Sequence, residues 1–146
     1  MNSTKRIILG SNSPRRQELL RGLDVEFTID TGTDFVESAE PGIEPHRIPV
    51  DMSVGKSHGF HRKLEDDEIL ITSDTVVIIE GKVLGKPHSY EEAVDMLHLL
   101  SGRTHEVVTA VTIRDCRKEK TFTSSTMVTF DELSDTEIEY YLEKYS

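Results

Sequence analysis

The chain is predicted to be α/β, a single domain over residues 1–146 with a central mixed β-sheet flanked by helices. Three observations carry this. Apolar runs occur at 5–10 and 68–80, the second rich in β-branched residues, capped helical segments at 13–22 and 89–101, and two strands joined by a charged turn at 105–114 and 121–130. No internal repeat, low-complexity tract or linker divides them, and 146 residues are enough for one sizeable core.

Each element has a local reason. Residues 5–10 (KRIILG) are a short apolar run closed by glycine, which reads as a buried strand. Ser13 is then a natural N-cap, Pro14 suits the first helical position, and Gly22 is the expected stop. Residues 24–30 alternate as a strand and 31–47 read as loop. Helical periodicity over 48–63 is weak, because Gly55 and Gly59 interrupt it. Residues 68–80 form the most apolar run, and Glu80 with Gly81 predicts a hairpin into 82–85. Ser89 with Glu92 makes a capping box for a helix over 89–101, with Ala93, Met96, Leu97 and Leu100 on one face. Strands at 105–114 and 121–130 flank the charged turn 115–120, and a second box, Ser134 with Glu137, opens a last helix.

Bulk properties narrow the function. The single cysteine, Cys116, leaves no internal disulfide framework and fits a reducing compartment. With no secretion signal and no apolar run near the ~20 residues needed to span a bilayer, the expectation is a cytoplasmic protein without a membrane partner. A net charge of −10 argues against non-specific nucleic-acid binding, which draws on a basic surface. A small phosphorylated ligand stays compatible, since a few cations can converge in one cleft.

Three features carry chemistry. Ser11, Ser13, Arg15 and Arg16 lie where a strand gives way to a helix, and helix N-termini attract anions. The plain alternative is a capped helix with two surface arginines. Asp74 lies between Ile69, Leu70, Ile71 and Val76, Val77, Ile78, where a carboxylate is costly without a partner such as a metal or lysine. The alternative there is an aspartate at a bulge between two shorter strands. Lys86, in Gly85, Lys86, Pro87, returns to the level of Asp74 if the hairpin turns at Glu80; otherwise it is a solvated turn lysine. His58 and His61 have helical spacing but no clear third ligand, so a structural metal there is disfavoured. The run Glu65, Asp66, Asp67, Glu68 reads as a solvated turn.

These stretches together resemble the Maf family of nucleotide pyrophosphatases, once described as septum-formation inhibitors. The resemblance lies in Leu9 through Leu20, in Ser73, Asp74, Thr75, Val76, Val77, and in Gly81 with Leu84, Gly85, Lys86, Pro87. It continues in Leu100, Ser101, Gly102, Arg103, Thr104, His105, and in Thr126 through Phe130. It implies a Maf/ITPase-like fold and hydrolysis of a nucleoside triphosphate to monophosphate and pyrophosphate. By the same resemblance Asp74 is the general base. Glu37 with Asp74 holds a divalent cation, Mg²⁺ first and Mn²⁺ second. Ser11, Arg15, Arg16, Lys56 and Lys86 bind the triphosphate. A homodimer is also implied.

Arg15 and Thr75 match the branch of the family that takes dTTP and UTP, and differ from the branch acting on 7-methyl-GTP, which remains the second enzymatic reading. A regulator of septum formation that senses nucleotide without hydrolysis is the third. Ser73 and Ser57 stand where alanine is common in the family. Members normally continue past the final helix into a segment with Lys-Ala-Gly, so the expectation is a domain lacking that C-terminal segment here. Either the sequence is a piece of a longer chain or the protein lacks part of its pocket, and if the segment is truly absent, an exposed sheet edge and lost base contacts imply weak activity and a tendency to associate.

Overall fold

The computed structural model describes residues 5–35, 42–85 and 87–145. Its strands are β1 (Arg6–Leu9), β2 (Phe27–Ile29), β3 (Glu68–Ile79), β4 (Lys82–Leu84), β5 (Thr104–Arg114) and β6 (Glu119–Thr129). Its helices are α1 (Pro14–Gly22), α2 (Ile48–His58), α3 (Tyr90–Leu100) and α4 (Asp135–Tyr145), with a 3₁₀ turn at Pro45–Arg47. Strand order is β2-β1-β3-β5-β6, with β4 paired to β3. β1 runs parallel to β2 and to β3, while β4 runs antiparallel to β3, so the sheet is mixed and the α/β expectation holds. The chain forms two compact units, Met1–Thr75 with Thr109–Ser124, and Val76–Val108 with Ser125–Ser146; β3, β5 and β6 contribute residues to both.

In the first unit, Ile8, Phe60, Leu64 and Leu70 form the core. Leu70 is fully buried, worth about 2 kcal/mol in apolar burial. α2 meets the strands through a polar face. Pro49, Ser53 and Ser57 are buried at four-residue spacing. Thr72 Oγ1 donates to Ser53 O at 2.7 Å, and Ser53 Oγ shares a proton with Thr112 Oγ1 at 2.8 Å. Arg114 donates from Nε to Ser57 Oγ at 2.9 Å and from Nη2 to Ser57 O at 2.7 Å. Small hydroxyl side chains therefore hold this helix, and the weak apolar periodicity of 48–63 follows from that. The helix ends at His58, five residues before the expected boundary, with Gly59 as its C-cap.

The acidic run 65–68 is not a solvated turn throughout. Glu68 opens β3 and is buried, with Arg62 donating to both carboxylate oxygens at 2.6 and 2.8 Å. Asp67 and Glu65 both pair with Arg6. Arg6 is paired with Glu68 across β1 and β3, so one strand pairing clusters these charges. β2 begins three residues later than expected.

In the second unit, Glu80 and Gly81 adopt positive φ angles of 52° and 77° and turn β3 into β4, as the hairpin expectation required. Ser89 caps α3 by accepting from Glu92 N at 3.1 Å, while Glu92 accepts from His88 N at 3.0 Å. Ser134 and Glu137 form a reciprocal box at the start of α4, both bonds 3.1 Å. Val76, Ile78, Ile79, Val108 and Ile138 are buried in this unit. β6 closes the strand order and is exposed along nearly its whole length.

Candidate active site

The candidate site lies in the first unit, where β1 stops and β3 continues. β1 pairs with β3 only from Arg6 opposite Glu68 to Leu9 opposite Ile71, and Gly10 N donates to Ile71 O at 2.8 Å. Beyond this point β3 runs past its parallel neighbour. The carboxyl end of a parallel strand is where α/β sheets place ligands.

The loop leaving β1 is built around two serines. Ser11 is buried, and its Oγ accepts from Ser13 N at 3.1 Å. Ser13 caps α1 by accepting from Arg16 N at 3.4 Å, with Pro14 in the first turn. No acidic residue occupies that turn, so the partial positive charge of the helix end is not cancelled. Arg16 reaches Ser11 Oγ from Nη1 at 3.5 Å and donates from Nη2 to Thr75 Oγ1 at 2.7 Å. Thr75 in turn shares a proton with Thr109 Oγ1 of β5 at 2.9 Å. Arg15 is exposed.

The adjacent residue of β3 faces α2. Strand side chains alternate, so Asp74 shares the face of Thr72, which is bonded to Ser53 of α2. Ser53 and Lys56 lie one turn apart on α2, which brings Lys56 over Asp74. Lys56 Nζ stands 3.3 Å from Asp74 Oδ1 and donates to Ser73 O at 3.3 Å. Their side chains are 21% and 19% exposed. A charge-assisted pair of ideal geometry is nearer 2.7–2.9 Å, and here the ammonium stands at 3.3 Å from both Ser73 O and Asp74 Oδ1. Ser73 Oγ is buried without a hydrogen-bond partner among the described residues.

Five of the expected residues thus form two clusters on neighbouring positions of one strand. Ser11, Arg16 and Thr75 make the first, and Lys56 with Asp74 the second. The strand is continuous through Asp74, so no turn divides it into two shorter strands there. Glu37 and Lys86 lie outside the described residues. The two histidines of 58–61 are drawn apart, His58 to Glu119 and His61 to Asp30.

Sequence reasoning missed the segment 30–35. Asp30 pairs with His61 at 2.8 Å, which holds its carboxyl below the usual range. Gly32 O accepts from His61 N at 3.1 Å, and Asp34 N donates to Gly59 O at 2.8 Å. Thr33 Oγ1 donates to Lys56 O at 3.3 Å. Phe35 lies against Gly55, where an added Cβ would come within 2.5 Å of its Cζ. The two glycines in a helical stretch were the available signal.

A divalent cation of the magnesium type takes one or two carboxylates and completes its shell with water and phosphate oxygens. Asp74 is one carboxylate at this position. Among the described residues no group of three His, Cys, Asp or Glu side chains could hold a metal by itself. No helix among them is long and apolar enough to cross a membrane.

The family described as Maf-like protein matches residues 6–146. A dTTP/UTP pyrophosphatase of Porphyromonas gingivalis is 47% identical over 142 residues, covering 96% of this chain and 71% of that protein. The dTTP/UTP pyrophosphatase of Bacteroides thetaiotaomicron is 45% identical over 139 residues, covering 95% and 72%. That of Thermotoga maritima is 42% identical over 144 residues, covering 96% and 68%. Among solved structures, the Staphylococcus aureus Ham1 protein aligns with a TM-score of 0.57 over 90% of this chain and 73% of that one. At 15% identity the likeness concerns the fold alone.

Proposed function

The chain belongs to the Maf-like protein family, and from that premise we propose that it is a nucleoside triphosphate pyrophosphatase acting on dTTP and UTP. It releases the nucleoside monophosphate and pyrophosphate. The observation that carries the reading is the junction at Asp74 and Thr75, where a lysine-paired carboxylate and an arginine-bearing helix start attach to consecutive residues of β3, on its alternate faces just past the end of β1.

The roles follow from the chemistry. Asp74 accepts a proton from the attacking water, and Lys56 beside it meets a phosphate oxygen. Arg16 and the start of α1 receive the polyphosphate, with Arg15 available from the same turn; the guanidinium fork suits phosphate oxygens. Thr75 and Ser11 aim Arg16. Mg²⁺, when bound with the nucleotide, neutralises phosphate charge and polarises the bond to be cut. Glu37 and Lys86 are further members of the site in this reading. The enzyme works in the cytoplasm as a homodimer, its one cysteine kept reduced.

The test is direct. With Mg²⁺ and dTTP or UTP the protein yields pyrophosphate and monophosphate, chelation of the cation stops this, and Asp74→Asn lowers kcat by about 10²- to 10⁴-fold while the folded protein persists. Turnover by Asp74→Asn at the parent rate, or preference for 7-methyl-GTP in a side-by-side panel, overturns the reading.

A further inference from the structure

The carboxyl end of α2 carries Lys56, and four contacts from the segment 30–35 fix it. The last carbonyls of a helix have no partner within the helix. Here Thr33 Oγ1 donates to Lys56 O at 3.3 Å, and Asp34 N donates to Gly59 O at 2.8 Å. The Thr33 hydroxyl is itself held by Phe35 N at 3.2 Å. Gly55 and Gly59, one turn apart, offer a flat face to Phe35. A Cβ at Gly59 would lie 2.9 Å from Phe35 N and 3.0 Å from its Cβ, and one at Gly55 would strike the ring. Beyond the helix, His61 is tied to Asp30 and to Gly32 O.

These contacts bear on the site because Lys56 is gripped at both ends. Its carbonyl is bonded by Thr33, and its ammonium meets Ser73 O and Asp74 Oδ1. A lysine side chain has several rotatable bonds, so the placement of its ammonium depends on how firmly its backbone is held. We infer that Thr33 and Phe35 are positioning residues for Lys56, setting the last turn of α2 so that the ammonium stays over the Asp74 carboxylate. This deepens the pyrophosphatase reading and rests on it for its effect on rate. The geometric part stands without it.

Three variants test it: Thr33→Val, which keeps shape and removes the hydroxyl, Phe35→Ala, and Phe35→Leu. Two readouts are taken on the full chain. One is steady-state pyrophosphate release from Mg·dTTP. The other is acetylation of Lys56 by acetic anhydride, followed by mass spectrometry against the exposed Lys63 and Lys118. Thr33→Val and Phe35→Ala are expected to lower kcat about tenfold with less change in KM. They are also expected to raise Lys56 labelling several-fold while Lys63 and Lys118 keep their rates. Phe35→Leu restores most of both. Unchanged Lys56 labelling in Thr33→Val and Phe35→Ala overturns the inference, as does faster labelling of all three lysines together. Should Phe35→Ala fail to fold, Thr33→Val decides alone. If the parent protein releases no pyrophosphate, the functional reading fails while the labelling still decides the positioning.

Discussion

Arg16 of α1 donates to the hydroxyl of Thr75 at 2.7 Å, which ties the first helix to the strand residue that follows Asp74. The threonine that the family resemblance links to substrate choice therefore touches an arginine to which the proposed reading gives phosphate. Hydrogen bonds to charged groups contribute roughly 1.5–3 kcal/mol. Thr75→Val keeps the shape of the side chain and frees Arg16, so KM for dTTP is expected to rise about tenfold with a smaller change in kcat. Steady-state kinetics of pyrophosphate release check it.

Lys56→Met separates attraction from shape. The methionine fills similar space but leaves the half-buried Asp74 carboxylate without its ammonium. We expect a loss of about 1–3 kcal/mol in folding stability, read by urea unfolding, together with a fall in kcat/KM of about 10²-fold. Lys56→Arg restores charge without the same reach and should recover stability better than rate.

Acid stability should report on Glu68. Its bonds from Arg62 and from Glu65 N hold its pKa at about 2, against an ordinary 4.5. A carboxyl depressed in the folded state adds stability above its unfolded pKa and loses it as pH falls through the folded value. The unfolding midpoint is therefore expected to drop as pH falls from about 4.5 towards 2, and Glu68→Gln should flatten that slope. Asp30 and Asp67, lowered by His61 and Arg6, act in the same direction.

Gly55→Ala sets two effects against each other. Alanine favours a helix over glycine by about 1 kcal/mol, but a methyl group here would press on the Phe35 ring at a cost of about 1–3 kcal/mol. Packing is expected to win, giving net destabilisation in urea unfolding. In the double variant with Phe35→Ala the alanine should become neutral or favourable, and the coupling energy of that cycle measures the contact.

Much of this was legible in the residues and some was not. The caps at Ser13, Ser89 and Ser134 follow from short-range hydrogen bonds, and all three formed. Asp74 stood out because a carboxylate in an apolar run needs a partner, and Lys56 is one. The packing of α2 was not legible. Its buried face is Pro49, Ser53 and Ser57, which carries no hydrophobic period, and its bonds go to Thr72, Thr112 and Arg114, distant in sequence. Gly55 and Gly59 looked like a weakness of the helix because propensity counts the glycines and not Phe35, which is distant in sequence. Glu68 was misplaced for a similar reason: a row of acids reads as solvated unless the pairing of β1 with β3 is known to bring Arg6 to Glu65 and Asp67, and the chain just before β3 is known to fold Arg62 back onto Glu68.

The outer position of β6 has a consequence for isotope exchange. Thr104 pairs with Thr129 and Thr112 with Thr121, so β6 runs antiparallel to β5, its one neighbour among the described residues, and its amides point by turns towards that neighbour and away from it. Brief immersion in heavy water should therefore mark this strand with an alternating rhythm, quick and slow from one peptide group to the next, whereas β3, flanked on both sides for much of its length, would take up deuterium late.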